Sequence, residues 1–319
     1  MKRTIAVLLA AGIAAFAQPV LAQDWPTRPV RMVVAFAPGG STDIAVRVLA
    51  ERIAPALGQP VLVENRAGAS GNVAAEYVVR QPADGHLVLA TADALASTPH
   101  LYKLAFDPAK EFVPVVQLTR QPVVLAAHPS VGVNSVAELI ALAKSKPGLG
   151  YATSGSGSLQ HMAGEWFAKL AGIQLTHVPY KGGGQAVTDL VGGQVPLGSL
   201  GNTPLLPHYR AGKLRILAQT TRSRSASLPD VPTYEEAGQR GLVLEQWLGL
   251  FLAAGSPAAA VARLNTEIGK ALAEASVRER FAQYGLEAVG GTPQEFARLY
   301  REDYEKYARL TRELNIKLD

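Results

Sequence analysis

The 319-residue chain contains no cysteine. It therefore has neither a disulfide framework nor the thiol on which a bacterial lipoprotein carries its lipid. Charged residues are few, at 18%, and the basic ones are scattered. Arg222 and Arg224 lie close together, but no basic run interleaved with aromatics marks a nucleic-acid surface. No apolar run reaches the ~20 residues that span a bilayer. GxSxG, GxGxxG and Walker loops are missing; Gly212-Lys213 and Gly269-Lys270 lack both the preceding glycine spacing and the following Ser/Thr. The six histidines show no paired ligand spacing, so neither a metal nor a cofactor is expected.

The start of the chain carries an address. Lys2 and Arg3 precede an apolar run at 5–16, and Val20-Leu21-Ala22 ends in the small residues a signal peptidase reads. Residues 1–22 are therefore expected to be a signal peptide cut after Ala22, leaving a soluble, unanchored periplasmic protein. The cut takes the net charge from +5 to +3 by removing Lys2 and Arg3. Residues 23–319 suffice for two ordinary domains.

Glycine is plentiful, and it gathers at turns between an apolar strand and an amphipathic helix. One turn lies within VRMVVAFAPGGSTDIAVRVLAERIAPAL (30–57), a second within LGYATSGSGSLQHMAGEWFAKLAG (149–172). Such a turn aims free N–H groups and the positive end of a helix dipole at whatever sits above it, which suits an anion. Two of them in separate halves imply a cleft that holds an anion from both sides. A third, Val178-Pro179-Tyr180-Lys181-Gly182-Gly183-Gly184, has the same setting.

Strand signals at 30–36, 61–64, 87–91, 123–127, 151–153, 175–179 and 214–220 alternate with helices. Leu159, Met162, Trp166 and Leu170 form one inward stripe. Ser135 with Glu138, Thr233 with Glu236 and Thr292 with Glu295 read as capping boxes. This order predicts an α/β fold of two lobes, each a mostly parallel sheet flanked by helices with its site beyond the carboxyl ends of the strands. Extended segments at 112–120 and 214–221 flank a self-contained block. The expected division is residues 23–120 plus 222–319 for lobe 1 and 121–221 for an inserted lobe 2, joined by two crossover strands. The C-terminal helices close lobe 1, with Tyr300, Tyr304 and Tyr307 read as packing residues.

The segments AFAPGGSTD (35–43), LGQPVLVENRAGASGNVAAEYV (57–78), PADG (82–85), SGSGSLQHMAGE (154–165), HVPYKGGGQAVTDLVGGQV (177–195), RAGKLRILA (210–218) and LPDVPTYEEAG (228–238) resemble the Bug family, the periplasmic solute receptors of tripartite tricarboxylate transporters. The resemblance covers nearly all of the mature chain. It implies a Venus-flytrap fold that captures a small, usually carboxylated, solute, with loops at 37–43 and 153–161 holding a carboxylate through backbone N–H groups and bound waters. It also implies delivery to a membrane permease.

The candidate ligand contacts follow from both readings. In the first turn they are Ala37, Pro38, Gly39, Gly40, Ser41, Thr42 and Asp43; the glycines allow close approach, and Asp43 complements the helix dipole or holds the loop. In the second they are Ser154, Gly155, Ser156, Gly157, Ser158 and His161, the histidine serving either the site or its packing. Tyr180 walls the cleft; Lys181 draws anions to the rim or is merely solvated. Thr91 and Asp93 fall at the carboxyl end of the third strand, where Asp93 either disfavours a second carboxylate or caps a short helix.

Asn202 reaches the ligand from PLGSLGNTP. That segment departs from the family pattern, with Pro196 and Leu200 where Asp is common, and it favours an aromatic or branched-chain carboxylate over a citrate-like polyanion. A Ser156–His161 hydrolase lacks the strained elbow such a nucleophile needs, so no catalytic residue is expected. The partner is a tripartite tricarboxylate permease or, alternatively, a sensor kinase, and the receptor is expected to be a monomer.

Overall fold

The computed structural model describes residues 25–318. The expected signal peptide and its cut after Ala22 lie outside them. Among the described residues no helix is long and apolar enough to cross a membrane.

Among the described residues, eleven strands form two sheets. The first has the order β11 (Glu287–Gly290), β4 (Phe112–Gln121), β10 (Gln246–Ala253), β3 (Leu87–Ala92), β1 (Val30–Val34), β2 (Val61–Asn65). The second runs β7 (Leu175–Pro179), β6 (Leu149–Thr153), β8 (Leu197–Gly201), β5 (Val123–Ala127), β9 (Arg215–Gln219). Both sheets are mixed. Parallel pairing is confined to β2-β1-β3 and β7-β6-β8, the strands linked by helical crossovers. β4 and β10 pair antiparallel from Gln246↔Gln121 to Ala253↔Phe112, because the chain leaves the first sheet along one and returns along the other. Pro122 breaks β4 from β5 at the outward crossing, and the return runs through coil between Gln219 and Gln246.

Packing follows the strand alternation. On β5, Val124 and Ala126 enter a core with Leu190 and Leu200, whereas Leu125 and Ala127 enter another with Tyr151 and Phe167. Both faces of the second sheet are thus covered. The helix Leu159–Ala171 serves two masters: Phe167 packs on its own sheet, while Leu159, Met162 and Ala163 join the core of the first lobe. That double duty leaves Leu170 43% exposed rather than on an inward stripe. Thr233 and Glu236 exchange the two bonds of a capping box, at 3.1 and 2.7 Å, but the chain there makes only a turn. Tyr300 and Tyr307 are buried in the first core, as packing residues.

Candidate functional site

Beyond β1 the chain turns through Pro38 and Gly39, the glycine at φ +81°, into the helix Ser41–Leu57. Asp43 ties this turn down by accepting from Gly39 N (3.0 Å), Arg47 Nε (2.9 Å) and Asn65 Nδ2 (2.9 Å). Burial works against its charge, but the Arg47, Gly39 and Asn65 bonds outweigh that and hold its carboxyl below the usual range. The helix begins at Gly40 with no side-chain cap. Its first amides have no intrahelical acceptor either.

The helix Gly183–Val191 of the second lobe begins the same way, at Gly182 with no side-chain cap. The two bare helix ends face each other: a Cβ built on Gly40 would stand 3.7 Å from Gly183 N and 3.8 Å from Gly184 N. The lobes meet backbone to backbone here. Ala37 N donates to Lys181 O at 3.1 Å, and a Cβ on Gly184 would lie 2.4 Å from the Pro38 carbonyl oxygen.

A cavity of about 20 Å³ remains between the lobes, roughly the space of one water. Its polar wall is Gly40, Ser41, Thr42, Ser154, Gly183, Gln160 and Gln246; Phe36, Ala92, Leu248 and Pro204 supply apolar surface. No charged side chain lines it. The lobes are therefore closed, and two positive dipole ends converge on one small neutral chamber.

The second glycine turn sits differently. Its amides are claimed from within: Ser154 N by Gln160 Oε1 (2.8 Å), Gly155 N by Thr153 Oγ1 (3.2 Å), Gly157 N by His161 Nδ1 (3.1 Å) and His161 N by the cap Ser158 Oγ (3.2 Å). What it turns toward the first lobe is carbonyl oxygen. Ser156 O accepts from Ser70 Oγ (2.6 Å) and Tyr102 OH (3.1 Å), and Gly157 O accepts from Ser97 Oγ (2.5 Å). Ser70 and its neighbour Ala69 hold left-handed backbone, φ +52° and +45°, a strain that projects Ser70 across the gap. Only Ser154 of this turn lines the chamber.

His161 is buried and stacked on His177 with ring centroids 3.7 Å apart. Burial, with the neighbouring histidine adding to it, depresses its pKa to about 3, so it stays neutral and holds the loop. Tyr180 turns away from the chamber and donates to Asp189 at 2.7 Å, its pKa pushed up to about 12 by burial and that carboxylate. Lys181 contributes its carbonyl to the lobe contact. Asn202, fully buried, spans the lobes by donating to Gly285 O at 3.1 Å. Thr91 is buried beside the Gly71 turn.

Asp93 is fully buried, does not cap the short helix Ala94–Ser97, and has no well-formed hydrogen bond to either carboxylate oxygen. Burial lifts its pKa to about 7, with Asp303 adding to the rise and the Gln246 amide and Lys306 opposing it.

Sequence reasoning left out Gln160, Gln246 and Gly183 as contacts. Gly183 was legible, since its turn has the same strand-to-helix setting as the first. Gln160 and Gln246 carry no local signal, because long-range folding alone brings them to the chamber.

Two α/β lobes closing over bare helix ends define a two-lobed solute-binding protein. Residues 45–316 match the family model described as tripartite tricarboxylate transporter family receptor. The chain is similar to the protein BugT of Bordetella pertussis, at 36% identity over 100% of this chain and 99% of that one. Among solved structures it is similar to R. palustris Rpa4515 with adipate, with 35% identity, TM-score 0.89 and coverage of 92% of this chain and 99% of that one. MatC from Rhodopseudomonas palustris with bound malate is similar at 33% identity and TM-score 0.86, covering 90% and 99%. The chain belongs to the tripartite tricarboxylate transporter receptor family, alongside the Bug proteins.

Proposed function

We propose that this chain is a periplasmic receptor that clasps the carboxylate of a small solute between the helix ends at Ser41 and Gly183, and presents the closed form to a membrane permease. The observation that carries the reading is the pair of uncapped helix N-termini facing one another across a chamber without a cation. The similarity to proteins solved with adipate and malate supports carboxylate as the ligand group. Nothing in the site favours covalent chemistry: Ser156 and His161 are not bonded to each other, and His161 spends its Nδ1 on Gly157.

Magnitudes make closure part of binding. One helix end contributes about 0.3–1 kcal/mol to an anion, and up to about 2 when partly buried. Charge-assisted bonds add roughly 1.5–3 kcal/mol each. Micromolar affinity needs about 8.2 kcal/mol net after association has cost roughly 4 or more. One lobe with two or three such bonds supplies at most about 11 kcal/mol against the roughly 12 required and falls short, whereas two lobes closing together can pass it.

Thermal-shift screening of the mature protein against mono- and dicarboxylates and their amides tests this, since a ligand of the folded state raises Tm by mass action. At least one carboxylate should raise Tm while its neutral amide does not. Equal shifts from acid and fully amidated analogue would contradict the reading.

A further inference from the structure

We infer that the chamber selects a solute bearing one carboxylate and a neutral hydrogen-bond acceptor over the matching dicarboxylate, and that Asp93, acting through Gln246, is the positioning residue that sets this choice. The inference rests on the carboxylate-receptor reading above and narrows its substrate class.

The amide side chains lining the chamber, its floor, are those of Gln160 and Gln246. Gln160 Oε1 is occupied by Ser154 N at 2.8 Å, and its Nε2 has only a 3.5 Å contact to Gln246 Oε1. Gln160 Nε2 is therefore a donor available to the ligand. Gln246 Oε1 also accepts from Gln121 Nε2 at 2.7 Å, and Gln121 Oε1 is fixed by Thr203 at 2.5 Å, so the orientation of Gln246 is set from behind. Gln160 can donate to an acceptor while the Gln246 amide is turned to Asp93, and neither carries charge to neutralise a second anion.

Asp93 adds a negative charge beneath that floor. It follows Ala92, which lines the chamber, and its carboxylate lies beside the Gln246 amide with no salt bridge. The groups facing it are Gln246 from β10 and Asp303, Lys306 and Tyr307 from the helix Pro293–Glu313. Lys306 is already engaged by Asp303 at 2.5 Å, and Asp303 also accepts from Trp247 Nε1 at 2.7 Å. The charge that Asp93 carries when ionised thus has no salt-bridge partner of its own and acts, through a polarised amide, on whatever occupies the floor. A second ligand carboxylate meets repulsion there; a carbonyl or hydroxyl does not. Because Asp93 titrates near neutrality, the discrimination should grow as pH rises through about 7.

Calorimetry with succinate and succinamate, which share shape and differ by one charge, tests this at about pH 6 and about pH 8. The native protein should bind succinamate about ten-fold more tightly at the higher pH, the scale of one pKa unit of interaction, and the ratio should shrink at the lower pH. In Asp93→Asn the ratio should fall toward one at about pH 8 and keep only the pH dependence of succinate's own titration. Gln160→Met, which keeps the volume but removes the donor, should weaken succinamate more than butyrate. Succinate binding as tightly as succinamate at about pH 8, or an unchanged ratio in Asp93→Asn, overturns the selectivity and leaves the carboxylate reading standing. Failure of all three acids, in a protein whose Tm no carboxylate raises, overturns both.

Discussion

At the scale of single residues, Gly184 carries the closest approach between the lobes. Its backbone is helical, so alanine there is favourable to the helix by about 1 kcal/mol. The added methyl, however, would strike the Pro38 carbonyl oxygen at 2.4 Å, a backbone atom that cannot swing aside. Gly184→Ala should therefore keep or raise Tm while lowering affinity for carboxylates at least ten-fold, as read by calorimetry beside a melting curve. Loss of both together would mean that the glycine serves folding instead.

Two buried groups give the molecule opposing pH responses. The pKa of His161 falls to about 3 on folding, so between its unfolded value near 6.5 and about 3 the unfolded chain binds more protons, and stability rises with pH. The pKa of Asp93 rises to about 7, so from its unfolded value near 3.9 up to about 7 the folded chain binds more protons, and stability falls with pH. Between about pH 4 and 6.5 the two slopes offset. His161→Gln should become less stable as pH rises through this window, Asp93→Asn more stable, and the native protein nearly flat in denaturant midpoint. Like slopes in both variants would contradict these assignments.

At the scale of elements, helix starts and strand runs were readable because caps and alternation are local. Ser135 and Thr292 cap the helices that their spacing announced, whereas Ser158, read as a ligand contact, caps the helix after the second glycine turn. The mixed sheets were hidden, since no local pattern tells β4 and β10 that one leaves the lobe and the other returns. For the same reason the second glycine turn looked like the first in sequence. The difference is made by distant partners: Gln160 and His161 fold back onto its amides, while Ser70, Ser97 and Tyr102 of the other lobe reach its carbonyls. This turn acts as a strap for the closed state. Replacing Ser70 by Ala together with Tyr102 by Phe should remove about 1–3 kcal/mol of closing free energy at a net ~0.5–1.5 per bond. Ligand affinity should then drop several-fold with little change in Tm, because each lobe keeps its own core. Unchanged affinity in this double variant would show that the strap bears no load.

At the scale of the whole molecule, the chamber at the two helix ends measures about 20 Å³, so on the proposed function the lobes part to admit a solute there. The contacts holding them are polar at Ala37–Lys181, Ser70–Ser156, Ser97–Gly157 and Asn202–Gly285, and apolar where Leu159, Met162 and Ala163 join the first-lobe core. On the proposed function, a bound anion favours closure by satisfying helix-end amides that neither helix can satisfy itself. The two-lobed fold and the strand-to-helix setting of the glycine turns were legible in the sequence; the neutral floor of the chamber was not, because Gln160 and Gln246 stand 86 residues apart and are brought together only by long-range folding.

The most direct test is a carboxylate titration followed by backbone amide resonances in the mature protein. Bare helix ends at the ligand require the largest downfield shifts at Ser41, Thr42, Gly183 and Gly184, with Gly155 and Gly157 moving little because their N–H groups are already bonded. Large shifts at Gly155 and Gly157 with Ser41 and Gly183 unmoved would contradict it.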